Sequence, residues 1–193
     1  VFLWQSGNKY RVSAHDADMK ETEAIYGQTD SGMTIIEGHL FLNGKKPIQH
    51  RSSYGLGEVI KAALDNHTEH LVISLGGIGS FDGGAGMLQA LGATFYDDEA
   101  QIVDMRKGAY LIKYIRRIDL SGVHPQLTKV NIQLMSDFSS RLYGKKSEIM
   151  QTYESLDLSQ NEAAEIDNLI WYFSELFKNE LKIAMGPIER GGA

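Results

Sequence analysis

The chain has 193 residues, 42% of them hydrophobic and 23% charged, a composition that suits one globular domain. Nineteen Lys and Arg against twenty-five Asp and Glu leave a net charge of −6, which argues against a surface built for nucleic acid or anionic lipid. With no cysteine, a disulfide scaffold, thiol catalysis and a Cys-ligated zinc site are excluded. No apolar run approaches the roughly eighteen residues of a membrane span, so no membrane partner is expected and the expected location is cytoplasmic.

Val1 rather than Met opens the sequence, and Gly186 to Ala193 closes it in a glycine-rich stretch. The expectation is a segment of something longer. Thr22 to Tyr26 and Met33 to Glu37 have the β-branched and aromatic character of strands, with a turn over Gln28 to Gly32 between them. Tyr54-Gly55-Leu56-Gly57 then leads into a helix over Glu58 to Asn66, with Val59, Ile60, Ala63 and Leu64 on one face. His70 to Leu75 is a continuous apolar run suited to a buried strand. A helix over Ala85 to Leu91 and strands over Ala93 to Tyr96, Leu111 to Ile118 and Val130 to Met135 follow. Ser159 with Glu162 forms a capping box for a last helix, whose Ile166, Leu169, Ile170, Phe173, Leu176 and Phe177 recur at helical spacing. Gly186 and Pro187 supply its stop. Strands alternating with helices predict an α/β fold, a mixed sheet with flanking helices, in one domain without an internal linker.

The chemistry concentrates in Leu71 to Gly92, LVISLGGIGSFDGGAGMLQALG. A buried strand runs into a loop containing Gly76, Gly77, Gly79, Ser80, Gly83 and Gly84, and then into a helix. Such a loop lets backbone N–H groups converge on an anion, because no Cβ blocks close approach or positive φ. Known nucleotide motifs fail here. Gly79 to Gly84 has Walker-A spacing but is followed by Ala85 instead of Lys, and Asp82 stands where the dinucleotide fingerprint needs glycine. Two readings of Asp82 are open: a metal ligand or proton acceptor in phosphoryl transfer, or a cap for the next helix.

The run GGIGSFDGGAGMLQALGATFYD resembles the signature of the bacterial-type glycerate kinases, GGSATNDGGAGMLQALGA. Upstream, Ser52-Ser53-Tyr54-Gly55-Leu56-Gly57-Glu58-Val59-Ile60 resembles the family's TTTYGTGELI. Lys46-Pro47 sits near its RNP, and Glu37 falls in its IEMA. Downstream, Ile118-Asp119-Leu120-Ser121-Gly122 and Pro125-Gln126-Leu127 match ID-x-SG…P-x-L. The likeness covers most of the chain. There are departures as well. In the D-V-x-N-P-L-x-G block, Asp137, Leu142 and Gly144 are kept while Asn and Pro become Ser140 and Arg141; the lysine of FGPQKGA becomes Leu156.

The resemblance implies the inserted domain of a two-domain kinase, with the active site in the cleft against a second domain of the same protein that these residues do not include. The activity implied is transfer of a phosphoryl group from ATP, with Mg2+, to D-glycerate. The roles implied are Asp82 as metal ligand or base and Asp137 as a second carboxylate. The Gly76, Gly77, Gly79, Ser80, Gly83 and Gly84 loop would cradle anionic oxygens, and Ser52, Ser53 and Lys46 would contact the glycerate carboxylate. The loss of the lysine at Leu156 leaves open a catalytically degenerate binding relative, and a segment inactive without its partner.

Other features have plainer readings. His67 and His70 have a metal-compatible spacing, but no third ligand follows, and a helix end is an ordinary place for His. Lys45, Lys46 and Arg51 either steer an acidic substrate or are solvated loop charges. Arg116-Arg117 and Lys145-Lys146 read as solvated faces, and Trp171, Tyr172 and Phe173 as core or interface packing. A domain-facing surface left uncovered could pair with itself, giving a homodimer.

Overall fold

The computed structural model describes residues 7–75, 79–136 and 140–182. Its main sheet has the order β1-β2-β3-β4-β7, with β1 (Asn8–His15), β2 (Glu21–Gln28), β3 (Met33–Glu37), β4 (His70–Ser74) and β7 (Asn131–Met135). The first three strands are antiparallel, whereas β3, β4 and β7 run parallel, so the sheet is mixed as expected. A second sheet pairs β5 (Thr94–Tyr96) with β6 (Arg117–Asp119).

Helix α1 (His39–Leu42) follows β3, and α2 (Tyr54–Asp65) lies on one face of the main sheet. It buries Val59, Ile60, Ala63 and Leu64 against Ala14, Ala24, Tyr26, Ile36, Leu71 and Ile73. Each large aliphatic side chain buried there contributes on the order of 2 kcal/mol. Helix α3 (Ala85–Ala90) packs beside α2. After α4 (Glu148–Thr152), α5 (Gln160–Leu181) sets Ile170, Phe173 and Phe177 on a second core with Phe95, Met105, Ile112 and Ile115. A third cluster gathers Phe81, Ile48, Ile149, Ala163 and Ile166.

Three expectations change. Helix α2 begins at Tyr54, one turn before the expected Glu58. Positions 55 and 57 of this helix need glycine because neighbouring backbone lies close: a Cβ at Gly55 would run into the His15 carbonyl oxygen, and one at Gly57 into that of Met87. Leu111 to Ile118 is not one strand. A 3-10 helix occupies Ala109–Tyr114, and only Arg117–Asp119 pairs. Ala109, Ile112 and Ile115, three residues apart and fully buried, fit the three-residue turn of a 3-10 helix rather than a strand. Strand β1 was not anticipated, although Tyr10, Val12 and Ala14 alternate inward against outward Lys9, Arg11 and Ser13. The capping box of α5 is present: Ser159 Oγ accepts from the Glu162 N–H, and the Ser159 N–H donates to the Glu162 carboxylate. That helix closes on Lys182, with φ 58°. The expected stop at Gly186 and Pro187 lies outside the described residues.

Candidate active site

The parallel register aligns the carboxyl ends of three strands, with Glu37 beside Ser74 and Ser74 beside Met135. The Gly38 N–H donates to the Ser74 carbonyl at 2.8 Å and the Leu75 N–H to the Met135 carbonyl at 2.8 Å, so the alignment persists into the loops. Open parallel sheets meet ligands beyond this end of the strands. The glycine-rich loop leaves β4 here. Gly76, Gly77 and Asp137 lie outside the described residues; Gly79, Ser80, Asp82, Gly83 and Gly84 lie within them.

Asp82 is the hub of the described part. Its Oδ2 accepts from the Ser53 N–H at 2.8 Å, the Ser53 Oγ–H at 2.9 Å and the Gly86 N–H at 3.1 Å; its Oδ1 accepts from the Gly84 N–H at 3.1 Å. Ser53 Oγ in turn accepts from the Met87 N–H at 2.9 Å. One carboxylate thus satisfies amides from the first turns of α2 and α3 and joins the two helix starts. Gly83 and Gly84 have φ of 59° and 77°, the left-handed values that let the chain turn back to present those amides. Of the two readings of Asp82, the geometry realises the capping one. Asp82 is 1% exposed, and among the described residues its oxygens accept from four N–H and O–H donors. Burial pushes its pKa up, against the pull of the hydrogen bonds from Ser53, Gly86 and Gly84.

Ser52 and Ser53 are buried as well. The Ser52 N–H donates to the Ala17 carbonyl at 2.9 Å, and Ser52 Oγ accepts from the Tyr54 N–H at 3.2 Å. Both serines therefore brace the entry to α2. Lys46 is tied elsewhere, its Nζ donating to the Asp18 carbonyl at 2.6 Å. Arg51 connects the two groups: its Nε donates to the Lys46 carbonyl at 2.8 Å and its Nη1 to the Gly79 carbonyl at 2.9 Å. A guanidinium is well shaped for holding two backbone segments in one plane.

Ser80, next in the loop, is 1% exposed, and its Oγ has no hydrogen-bond partner among the described residues. A buried hydroxyl left unpaired costs about 1–3 kcal/mol.

Asp18 was missing from the sequence expectations. Its carboxylate accepts from the Lys45 N–H at 2.6 Å and the Lys46 N–H at 3.0 Å. Partial burial acts to raise its pKa, but those amides with Arg51 and Lys46 hold it below 3.8. No local pattern reveals such a contact, because 27 residues separate Asp18 from Lys45. His15 Nδ1, 2.9 Å from the Glu58 carboxylate, was equally hidden.

Two departures from the family pattern fall on packed positions, while Arg141 is exposed. Phe81 stands where the quoted signature has Asn, and it is buried in the third core. Leu156 ends a 3-10 turn (Tyr153–Leu156) and packs against the same cluster. His67 and His70 line a cleft of about 400 Å³ with Glu69 and Lys129 at the opposite, amino-terminal ends of β4 and β7. Among the described residues, no three His, Asp or Glu side chains group as a metal site would require.

The glycerate kinase family model matches residues 2–193. The chain belongs to the glycerate kinase family. It is 29% identical over 178 residues to the glycerate kinase of Halalkalibacterium halodurans, covering 89% of this chain and 46% of that protein. It is 30% identical over 142 residues to the glycerate 2-kinase of Escherichia coli K12, covering 74% and 37%. The fold matches a solved structure assigned as glycerate kinase 2 from Salmonella typhimurium LT2, with TM-score 0.85 and 25% identity, over 92% of this chain and 49% of that one. The chain spans about half the length of the curated relatives it matches. Among the described residues, no helix is long and apolar enough to cross a membrane.

Proposed function

We propose that this chain forms one wall of the active site of an ATP-dependent kinase that phosphorylates a hydroxyl of D-glycerate, with the rest of the protein supplying the opposite wall. The observation that supports this most is Ser80 Oγ, a buried hydroxyl that has no partner among the described residues, in the loop that carries the family signature. Phosphoryl transfer depends mainly on positioning and on stabilising anionic oxygens, which loop amides and a hydroxyl can do. In this reading Ser80 and the Gly76 to Gly84 backbone hold an anionic group of the substrate or the transferring phosphoryl. Arg51, bonded to the Gly79 carbonyl, adds positive charge beside the loop. Asp82 holds the α2 and α3 starts in place through Ser53 and is a positioning residue. Asp137 is left as the carboxylate to take the hydroxyl proton.

ATP would supply the phosphoryl group, and Mg2+ its usual charge neutralisation. The described residues do not fit a cation, since Asp82 is committed to four donors, so no step is assigned through a metal.

The test is ADP release by the polypeptide of the complete reading frame, wild type and Ser80→Ala. D-glycerate-dependent release is expected, and Ser80→Ala should lower kcat/KM by about tenfold or more. Its Tm should hold or rise, because the change removes an unsatisfied buried hydroxyl. Absence of ADP release with D-glycerate and other small hydroxy acids overturns the kinase reading. Leu156 and Phe81, apolar where the resemblance has Lys and Asn, favour a second reading, a relative that binds the acid without turnover. Calorimetric binding of D-glycerate with no ADP release would select it.

A further inference from the structure

The two edges of the main sheet differ. At β1, Lys9, Arg11 and Ser13 project from the solvent face and Arg11 pairs with Glu23 across to β2, devices that keep an edge from recruiting other strands. At the other edge, β7 reads NIQLM, without charge or proline, and all five residues are exposed. Among the described residues it pairs only with β4. In register, Ile132 and Leu134 stand beside Leu71 and Ile73 on the face that α2 covers. Leu71 and Ile73 are buried, yet Ile132 and Leu134 are 42% and 58% exposed. The opposite face leaves Ile25, Met33 and Met135 exposed. Parallel strands are normally covered on both faces, and β4, HLVIS, has the unbroken apolar run of such a strand.

The strand geometry says what the edge can accept. The Asn131 N–H donates to the Glu69 carbonyl and the Met135 carbonyl accepts from Leu75, so odd-numbered residues bond toward β4. Backbone groups alternate along a strand, which turns the N–H and C=O of Ile132 and Leu134 to the open side.

We propose that β7 is an interior strand in the whole protein, paired on its open side with a strand from the half of the polypeptide outside this chain, whose apolar side chains cover Ile132 and Leu134. The occupant is named from length. The matched region is 46% of the H. halodurans relative and 49% of the Salmonella chain, so each holds about as much polypeptide again. This inference rests on family membership and not on the kinase reading, and its test involves no turnover.

The test is hydrogen exchange on the polypeptide of the complete reading frame. With the edge paired, the Ile132 and Leu134 amides exchange as slowly as those of residues 131, 133 and 135, about a hundredfold slower than open amides. Leu134→Lys in the same polypeptide should then speed exchange at Ile132 by about tenfold or more. Fast exchange confined to Ile132 and Leu134 overturns the proposal. So does protection that vanishes on dilution through a dimer–monomer transition, which would make a second copy the occupant. A reading frame that ends with these residues overturns it too.

Discussion

Two aspartates gather backbone amides around the start of α2, and they do it in opposite surroundings. Asp82 sits fully buried among Ser53, Gly84 and Gly86; Asp18 sits near the surface with Lys45 and Lys46. The chemistry of the bonds is similar, but burial pushes the Asp82 pKa up while the donors and neighbouring cations hold that of Asp18 below 3.8. Hydrogen bonding alone therefore does not decide the state of a carboxylate; the solvent it loses weighs against the donors it gains. The buried hub couples two helices, whereas the exposed one pins a loop.

Removing each carboxylate separates the two roles. Asp82→Ala would leave the Ser53, Gly84 and Gly86 amides buried without partners, and a loss of about 3–5 kcal/mol is expected. Urea unfolding of the longest folded form would measure it, and a loss below about 1 kcal/mol would show that the hub is dispensable. Asp18→Ala exposes its two amides to water, which can replace the carboxylate, so about 1 kcal/mol is expected from the same measurement.

Acidity offers the finest contrast. Asp18 and Asp104 have pKa values held below 3.8, for Asp104 chiefly by the Arg106 side chain. The stability they contribute is present above 3.8 and is lost as pH falls through the lowered values. Asp82 has the opposite sign: with its pKa raised, ionisation opposes folding, so its contribution falls as pH rises from 3.8 through the raised value. Below pH 3.8 a drop in Tm is expected for the wild type, and Asp18→Asn should flatten it. An unchanged drop would assign acid sensitivity to other groups.

Much of the fold could be read from local pattern, and the reasons are specific. β4, β7 and α5 announce themselves through an apolar run or a helical repeat, and Ser159 with Glu162 marks a cap that the structure contains. The signature GGIGSFDGGAGMLQALGATFYD, with SSYGLGEVI before it, resembles the family that the family model then matched over residues 2–193. What escaped was long-range. Asp18 meets Lys45, and Ser53 meets Asp82, only after the chain has folded back on itself. The apparent strand at Leu111 to Ile118 failed because β-branched residues at three-residue spacing suit a buried 3-10 turn as well. The glycines of Tyr54 to Gly57 fall outside the expected helix because their reason, the carbonyls of His15 and Met87, lies elsewhere in the sequence.

The bond from Ser53 to Asp82 spans 29 residues, and closing a loop of that length costs on the order of 3–4 kcal/mol of chain entropy. During synthesis, Ser53 is added before its carboxylate exists, and β4 is made between them. The amide at the head of α2 stays with water until α3 arrives. Asp82 lies inside the glycine-rich loop, so the bonds that fix residues 82–86 form only once that stretch has been made. A nascent chain stopped after β4 would hold much of the first core, with no organised loop for a substrate to meet.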